Sequence, residues 1–371
     1  MRIHKTLALF AVLLCLFTGL LFSASEPEFN GQASGWLMSG GALDETYLGF
    51  RYIPALNLSH TLKNNLKLDA EAAYDIRCQT ALNNGGDFPD NTDIEFYRFW
   101  VRCTRPQDEL RLGRQKLNFG PAKILRTLRW FDRLDIRDTL QITEGADALL
   151  YRRYFPDNSN IWGWVIYGNE GRKGLEMCGS EEGRPEIGGR WQFPVPRGEM
   201  ALSTHRRCVD KSEWNSVMSE PMSGGQEIRL AADGNWDIGP GLWFETAVEE
   251  TDINKNSRYW RKLATVGADY TLESGIHLQG EHFIHSSGSK MTDHDDAYKI
   301  SAVSADFVIS LLDSITAIGY YNWKECRTYH YAGWQRKYDN WQFDISVFSS
   351  AEDSTSSFGG KGAQCLVTYN H

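Results

Sequence analysis

Lys67-Leu68-Asp69-Ala70-Glu71-Ala72-Ala73-Tyr74-Asp75-Ile76-Arg77-Cys78 alternates between two kinds of surface. Leu66, Leu68, Ala70, Ala72, Tyr74 and Ile76 share one parity, and Lys67, Asp69, Glu71, Asp75 and Arg77 share the other. A period of two is that of a β-strand with one apolar and one charged face. The pattern recurs along the chain. Ile187, Gly189, Trp191, Phe193 and Val195 oppose Glu186, Arg190 and Gln192. Ile228, Leu230, Ala232 and Trp236 oppose Glu227, Arg229, Asp233 and Asp237. Leu242, Phe244 and Val248 oppose Glu245 and Glu249, and Trp341, Phe343, Ile345 and Val347 oppose Gln342, Asp344 and Ser346. Many such strands satisfy the bilayer's demand for complete backbone hydrogen bonding if they close into a barrel with lipid outside and water inside.

The beginning of the chain agrees. Arg2 and Lys5 precede an almost wholly apolar run from Thr6 to Phe22, and small residues follow at Ser23, Ala24 and Ser25. This is the pattern of a secretory signal, residues 1–25, ahead of a barrel domain, residues 26–371. An N-terminal membrane anchor is the competing reading. No later run reaches the ~18 apolar residues of a spanning helix. The expected location is therefore a bacterial outer membrane, with its lipid as the first partner.

Composition fits. Apolar residues make up 42% and mean hydropathy is −0.44, which is polar for a membrane protein but natural where half of each strand faces water. The 13 Trp and 16 Tyr residues suit interfacial girdles. Cleavage removes Arg2 and Lys5 and no acid, so the formal charge moves from −9 to −11, which does not suggest a nucleic-acid partner.

The spacing predicts an all-β transmembrane antiparallel barrel of about eighteen strands, with sixteen as the alternative. Starts fall near residues 32, 46, 65, 93, 109, 146, 160, 185, 198, 226, 241, 258, 275, 297, 313, 327, 340 and 361. Links after even strands are short, such as Arg105 to Asp108. Several after odd strands are long and polar, such as Gly120 to Gly145. This parity places short turns and both termini at a periplasmic end and long loops outside.

Six cysteines remain after cleavage, in spacings that fit no zinc pattern. Cys178 and Cys208 fall at the external end of one hairpin and are the candidate disulfide. Cys78 and Cys103 fall at opposite ends of adjacent strands and are not expected to pair.

Leu110-Arg111-Leu112-Gly113-Arg114-Gln115-Lys116-Leu117-Asn118-Phe119-Gly120 is followed, after a long loop, by Gly145-Ala146-Asp147-Ala148-Leu149. This pairing resembles the Gly-Arg-Gln strand and next strand opening of Gram-negative outer-membrane porin-like barrels, including alginate-export-type proteins. The resemblance spans about 50 residues and implies a channel-forming barrel. The ending Val367-Thr368-Tyr369-Asn370-His371 likewise resembles the aromatic last strand read by barrel-assembly machinery, with His371 where Phe is common.

Between those motifs, Arg126, Arg129, Arg133 and Arg137 recur at three and four, and Ile124, Leu128 and Phe131 form an apolar stripe. This rhythm predicts a partly helical loop whose arginines form a pore constriction with Asp132 and Asp135, Asp138 standing nearby. The alternative is that these acids simply pair with the arginines and the loop packs as a plug. Strand five carries Leu110 and Leu112 on the parity of Arg114, Lys116 and Asn118, so a bulge near Gly113 is expected, or else the loop covers this wall.

Parity also gives a lumen list. Basic members are Arg51, Lys67, Arg77, Arg98, Arg102, Arg111, Arg190 and Arg229. Acidic members are Asp69, Glu71, Asp75, Glu227, Asp233, Glu245, Glu249, Asp269, Glu281 and Asp344. Charges in a pore steer ions, although mixed charges also pair and merely solvate the wall. The function expected is passive diffusion of small polar or anionic solutes. The alternatives are a closed structural barrel or adhesin, and a lipid-modifying enzyme. For the last, His205, His277, His282 and His285 lack any nucleophile motif. His282, His285, His294 and Asp295 make a weak metal set. No enzyme activity, cofactor or metal is expected.

Overall fold

The structure is a computed structural model and describes residues 18–19, 27–40, 45–62, 64–82, 91–132, 140, 142–143, 145–218, 221–349 and 360–371. The expected signal segment thus lies almost wholly outside the described residues.

Eighteen antiparallel strands form one sheet: β1 (Glu28–Gly40), β2 (Glu45–Thr61), β3 (Lys67–Ala81), β4 (Asn91–Thr104), β5 (Asp108–Gln115), β6 (Ala146–Tyr154), β7 (Asn160–Ile166), β8 (Glu186–Val195), β9 (Gly198–Cys208), β10 (Gln226–Asp237), β11 (Gly241–Asn254), β12 (Ser257–Thr271), β13 (Ile276–Gly288), β14 (Asp295–Val308), β15 (Asp313–Asn322), β16 (Arg327–Lys337), β17 (Trp341–Ser349) and β18 (Lys361–Asn370). Each pairs with its neighbours in sequence, and β1 pairs with β18, so the sheet closes and leaves no edge. Every expected start lies within four residues of the observed one. The count is eighteen and not sixteen.

The alternation sets the two faces. Outward side chains include Ile187, Leu230, Val266 and Val303, each more than half exposed in the absence of lipid. Their strand neighbours Glu186, Arg229, Thr265 and Ala302 are buried on the inner side. At the short-turn end an outward aromatic group surrounds the last residue. The His371 ring stacks on Tyr52 and Tyr369, and Tyr52 Oη lies 3.1 Å from its Nε2. Gly31 and His371 exchange backbone hydrogen bonds at 3.0 Å, which carries the closure to the final residue.

Two expectations about local geometry fail. β5 carries no bulge: its register with β4 and β6 is continuous through Gly113. The strand simply stops at Gln115 before the apolar phase can recover. Gly113 has φ +118°, and a Cβ there would sit 2.2 Å from the Phe99 carbonyl. The loop from 116 is also not helical where described. Residues 116–132 run as turns and irregular chain, while 133–139 lie outside the described residues. The one short helix among the described strand connections, α1 (Lys211–Val217), follows β9 instead and is capped by Asp210, which accepts from Ser212 N and Glu213 N.

Candidate functional site: the loop-filled lumen

Gln115 is fully buried where β5 ends, and its amide donates to the Ala148 carbonyl at 2.9 Å. The chain then turns into the barrel and crosses to β11–β13. There two wall carboxylates receive its backbone. Glu245 accepts from Ala122 N at 2.9 Å and Leu128 N at 2.8 Å. Glu281 accepts from Lys123 N, Ile124 N and Leu125 N at 2.7, 3.0 and 2.5 Å, and from Trp243 Nε1 at 3.1 Å. Thr265 Oγ1 donates to Leu125 O at 2.5 Å, and Lys123 Nζ meets Asp269 at 2.7 Å. Acidic side chains at β11–β13, expected to steer ions, are mostly spent on holding a loop. Charge-assisted bonds to several N–H groups are among the stronger anchors a loop can have.

Behind these anchors the lumen is filled by apolar packing. Loop residues Leu117, Phe119, Leu128, Trp130 and Phe131 pack on inward Ala146, Ala148, Leu150, Trp164, Ile166 and Leu263. Phe119 meets Trp130 edge-on at 5.4 Å between centroids and stacks on Trp164 at 5.7 Å. The expected apolar stripe is therefore real, since Ile124, Leu128 and Phe131 are all buried. It arises without a helix, because the partners are wall side chains on several strands. The sequence did carry a signal for this wall: Leu149-Leu150 breaks strict alternation, with Leu149 facing out and Leu150 in.

A second connection, 167–185, also folds inward, which sequence reasoning missed. Leu175 N donates to Arg129 O at 3.1 Å and Arg261 Nη2 to Leu175 O at 2.9 Å, so the two loops are joined. Gly174 permits the contact: φ is +48°, and a Cβ would lie 1.7 Å from Arg129 O. Glu176 bridges Arg207 at 3.0 Å and Arg229 at 2.9 Å, and Glu227 bridges the same pair at 2.6 Å each. Lys173 Nζ meets Glu186 at 2.8 Å, whose other oxygen lies 3.0 Å from His205 Nε2. Trp164 Nε1 donates to His205 Nδ1, which places the imidazole proton of a neutral ring on Nε2. His205 is wholly enclosed, which is no place for a surface catalyst.

The proposed constriction residues behave differently from one another. Arg126 is buried and turns back on its own loop, donating to Asn118 Oδ1 and, at 3.2 Å, to Phe119 O. It does not present a cationic face to open lumen. Arg129 is half-buried. Asp132 is buried with neither carboxyl oxygen hydrogen-bonded among the described residues. Burial pushes its carboxyl above the ordinary range, against the pull of Arg126, Lys116, Arg98 and Arg129. Arg133, Asp135, Arg137 and Asp138 lie outside the described residues.

Every lumen residue expected from parity lies on the inner face, and most of the cations there are matched. Asp75 takes Arg51 Nε at 2.6 Å, Asp69 takes Arg102 at 2.9 Å, and Asp233 takes Arg190 at 2.5 Å. Arg111 pairs with Glu109 at 2.9 Å, a carboxylate the parity list lacked. Glu71 accepts from Trp100 Nε1 at 2.9 Å. Arg98 reaches Thr143 O at 3.0 Å and Thr143 Oγ1 at 2.7 Å, fixing the end of the first loop.

The candidate disulfide is not formed: Cys178 and Cys208 are free thiols, as are Cys78 and Cys103. Cys208 follows inward Arg207 and so sits on the outer parity of β9, while Cys178 is buried beside Val209 and Trp214. The barrel wall separates them. Among the described residues no three His, Cys, Asp or Glu side chains converge as a metal group. His282 faces outward, with Nδ1 2.9 Å from Ser301 Oγ.

Two cavities lie beside the described residues of the loop 116–145. One cavity of about 350 Å³ lies between Leu140 and the inner wall of β15–β17. Another of about 400 Å³ lies between Ile142, Thr143 and Gly145 and the charged wall of β2–β4.

This is the architecture of a closed eighteen-stranded antiparallel β-barrel with loops folded into its lumen. No family model matches the chain, and no curated protein matches it. Solved structures do. It is similar to Pseudomonas aeruginosa OccK5 (OpdH), with TM-score 0.62 at 8% identity, covering 94% of this chain and 98% of that one. It is similar to P. aeruginosa OccD3 (OpdP), with TM-score 0.59 at 8% identity, covering 94% and 91%. It is also similar to an anion-selective porin from Comamonas acidovorans, with TM-score 0.50 at 11% identity, covering 93% and 99%. At such identities the likeness is one of fold.

Proposed function

We propose that this protein is an outer-membrane channel for passive diffusion of small polar solutes, narrowed by the loop 116–145. The observation that carries the reading is the clamped loop. Glu245 and Glu281 hold it across the lumen by five backbone N–H groups, while polar cavities remain beside it. A barrel needing only rigidity has no use for a lumen that is part filled and part open to polar-lined cavities. Signal cleavage, delivery to barrel-assembly machinery through β18 and insertion in outer-membrane lipid belong to the same reading. Anions remain a charged class to test, since a neighbouring fold is an anion-selective porin and the early strands bear arginines. Their pairing with Asp69, Asp75 and Glu109 argues that any such preference is weak.

Single-channel conductance in planar bilayers tests the proposal. Stable open levels with weak ion preference are expected. A correctly folded barrel that never conducts transfers support to the closed structural reading, which the apolar packing around Phe119, Trp130 and Trp164 favours.

A further inference from the structure

The arc of wall that the clamped loop leaves uncovered is chemically unlike the rest. Across β15–β17 the register stacks inward side chains in layers. Ile318, Tyr331 and Phe348 form one apolar layer. Thr316, Gly333 and Ser346 form the next, and Ser314, Gln335 and Asp344 the one beyond. Gly333 keeps the step between layers open, because a Cβ there would stand 3.0 Å from Tyr331 Oη. Asp344 is nearly enclosed and is met on both oxygens by neutral donors, Gln335 Nε2 at 2.8 Å and Gln342 Nε2 at 2.9 Å. Each amide thereby keeps its carbonyl oxygen and one N–H without a hydrogen-bond partner among the described residues. Leu140 also lines this cavity of about 350 Å³, at the lower end of the ~300–1,000 Å³ usual for small-molecule sites.

We propose that this cavity is a binding subsite for one ring of an uncharged polyhydroxylated solute, a saccharide or cyclic polyol. The proposal rests on the channel reading for its role in permeation, although binding itself does not depend on it. Three features select this chemistry. A sugar ring has an apolar C–H face and a hydroxyl rim, which match the tyrosine-bearing layer and the amide layer. Hydroxyls donate and accept, as the residual amide groups and Ser314 require. The cavity carries charges of both signs, Asp344 and Lys337, so neither a cation nor an anion meets a wall of purely opposite charge.

The test uses the full barrel in planar bilayers at ~1 M salt, where exposed charges are screened to about 3 Å. Raffinose is titrated against open-channel current, with a polyethylene glycol of equal mass as the size control. Saturable blockade by the sugar but not by the glycol is expected. The Gln335→Ala/Gln342→Ala double variant should weaken the sugar's half-blocking concentration at least tenfold. Gly333→Ala, which fills the step, should weaken it without removing an amide. Titration calorimetry of the detergent-folded proteins runs in parallel, with folding checked by heat-modifiable gel mobility. A channel that conducts but treats sugar and glycol alike overturns the subsite and leaves the channel intact. A barrel that binds raffinose by calorimetry, loses it in the double variant and never conducts upholds the subsite and removes the channel. Binding unchanged in both variants overturns the subsite.

Discussion

Glu281→Gln isolates the clamp, because the substitution keeps shape and removes charge. The carboxylate serves five donors: Lys123 N, Ile124 N and Leu125 N from the loop, and Trp243 Nε1 and Gln279 Nε2 from the wall. Glutamine offers one acceptor oxygen and turns an NH₂ group toward the remaining donors. At least two bonds to a charged acceptor are lost. At roughly 1.5–3 kcal/mol each, loop docking weakens by about 3–6 kcal/mol, less whatever the buried charge itself costs. Since about 1.4 kcal/mol is tenfold in an equilibrium, protection of the docked amides should fall by roughly 10²–10⁴. Hydrogen exchange of the detergent-folded barrel reads this directly. Peptides covering 121–131 should exchange faster, while β11–β13 keep their protection. In bilayers the variant should show noisier current with a higher mean. If amides 122–128 keep wild-type protection, Glu281 is not an anchor and the clamp argument fails.

Four other outcomes follow from particular residues. Arg133→Ser/Arg137→Ser should move reversal potential toward cations at low salt, whereas Arg126→Ser should loosen the loop with little change in selectivity, because Arg126 is bonded to its own loop. Burial holds the folded Asp132 pKa above its unfolded value, so its contribution is full below the unfolded pKa near 3.8 and is lost as pH rises through the folded one. Asp132 should therefore favour the docked loop as pH falls, so Asp132→Asn should reduce any gain in loop-amide protection, corrected for intrinsic rates, between pH 7 and pH 4. Gly174→Ala should separate the two inward loops, costing more than about 1 kcal/mol, visible as faster exchange at Leu175. Denatured, non-reduced protein should titrate all of Cys78, Cys103, Cys178, Cys208, Cys326 and Cys365 as thiols, and a mass two hydrogens short would contradict this.

What the sequence determined by itself was everything governed by a local period. In water-filled barrels one parity must face lipid and the other water, so Leu68/Asp69 or Leu230/Arg229 state their own orientation wherever they sit. Strand starts and the division of each strand into an apolar and a charged face follow from that rule, while the choice of eighteen strands over sixteen was settled by the fold. Leu149-Leu150 even marks the wall that needs a second apolar cover. The tertiary structure alone decided which partners those inward groups meet. Glu245 and Glu281 are the same parity signal as Glu227 or Asp233, yet the first two bind a loop backbone and the others bind arginines. Nothing local distinguishes them, because the loop donors lie more than a hundred residues away for the first pair, and the arginines lie within about fifty for the second. The same holds for the loop's arginine rhythm. A period of three and four predicts a helix only when the chain supplies its own hydrogen bonds, and here wall carboxylates supply acceptors at 122–128, so among the described residues up to Asp132 the stripe is kept and the helix is lost. Cys178 and Cys208 were close along the hairpin, but the wall between inner and outer parity, which only closure of the sheet creates, keeps their sulfurs apart.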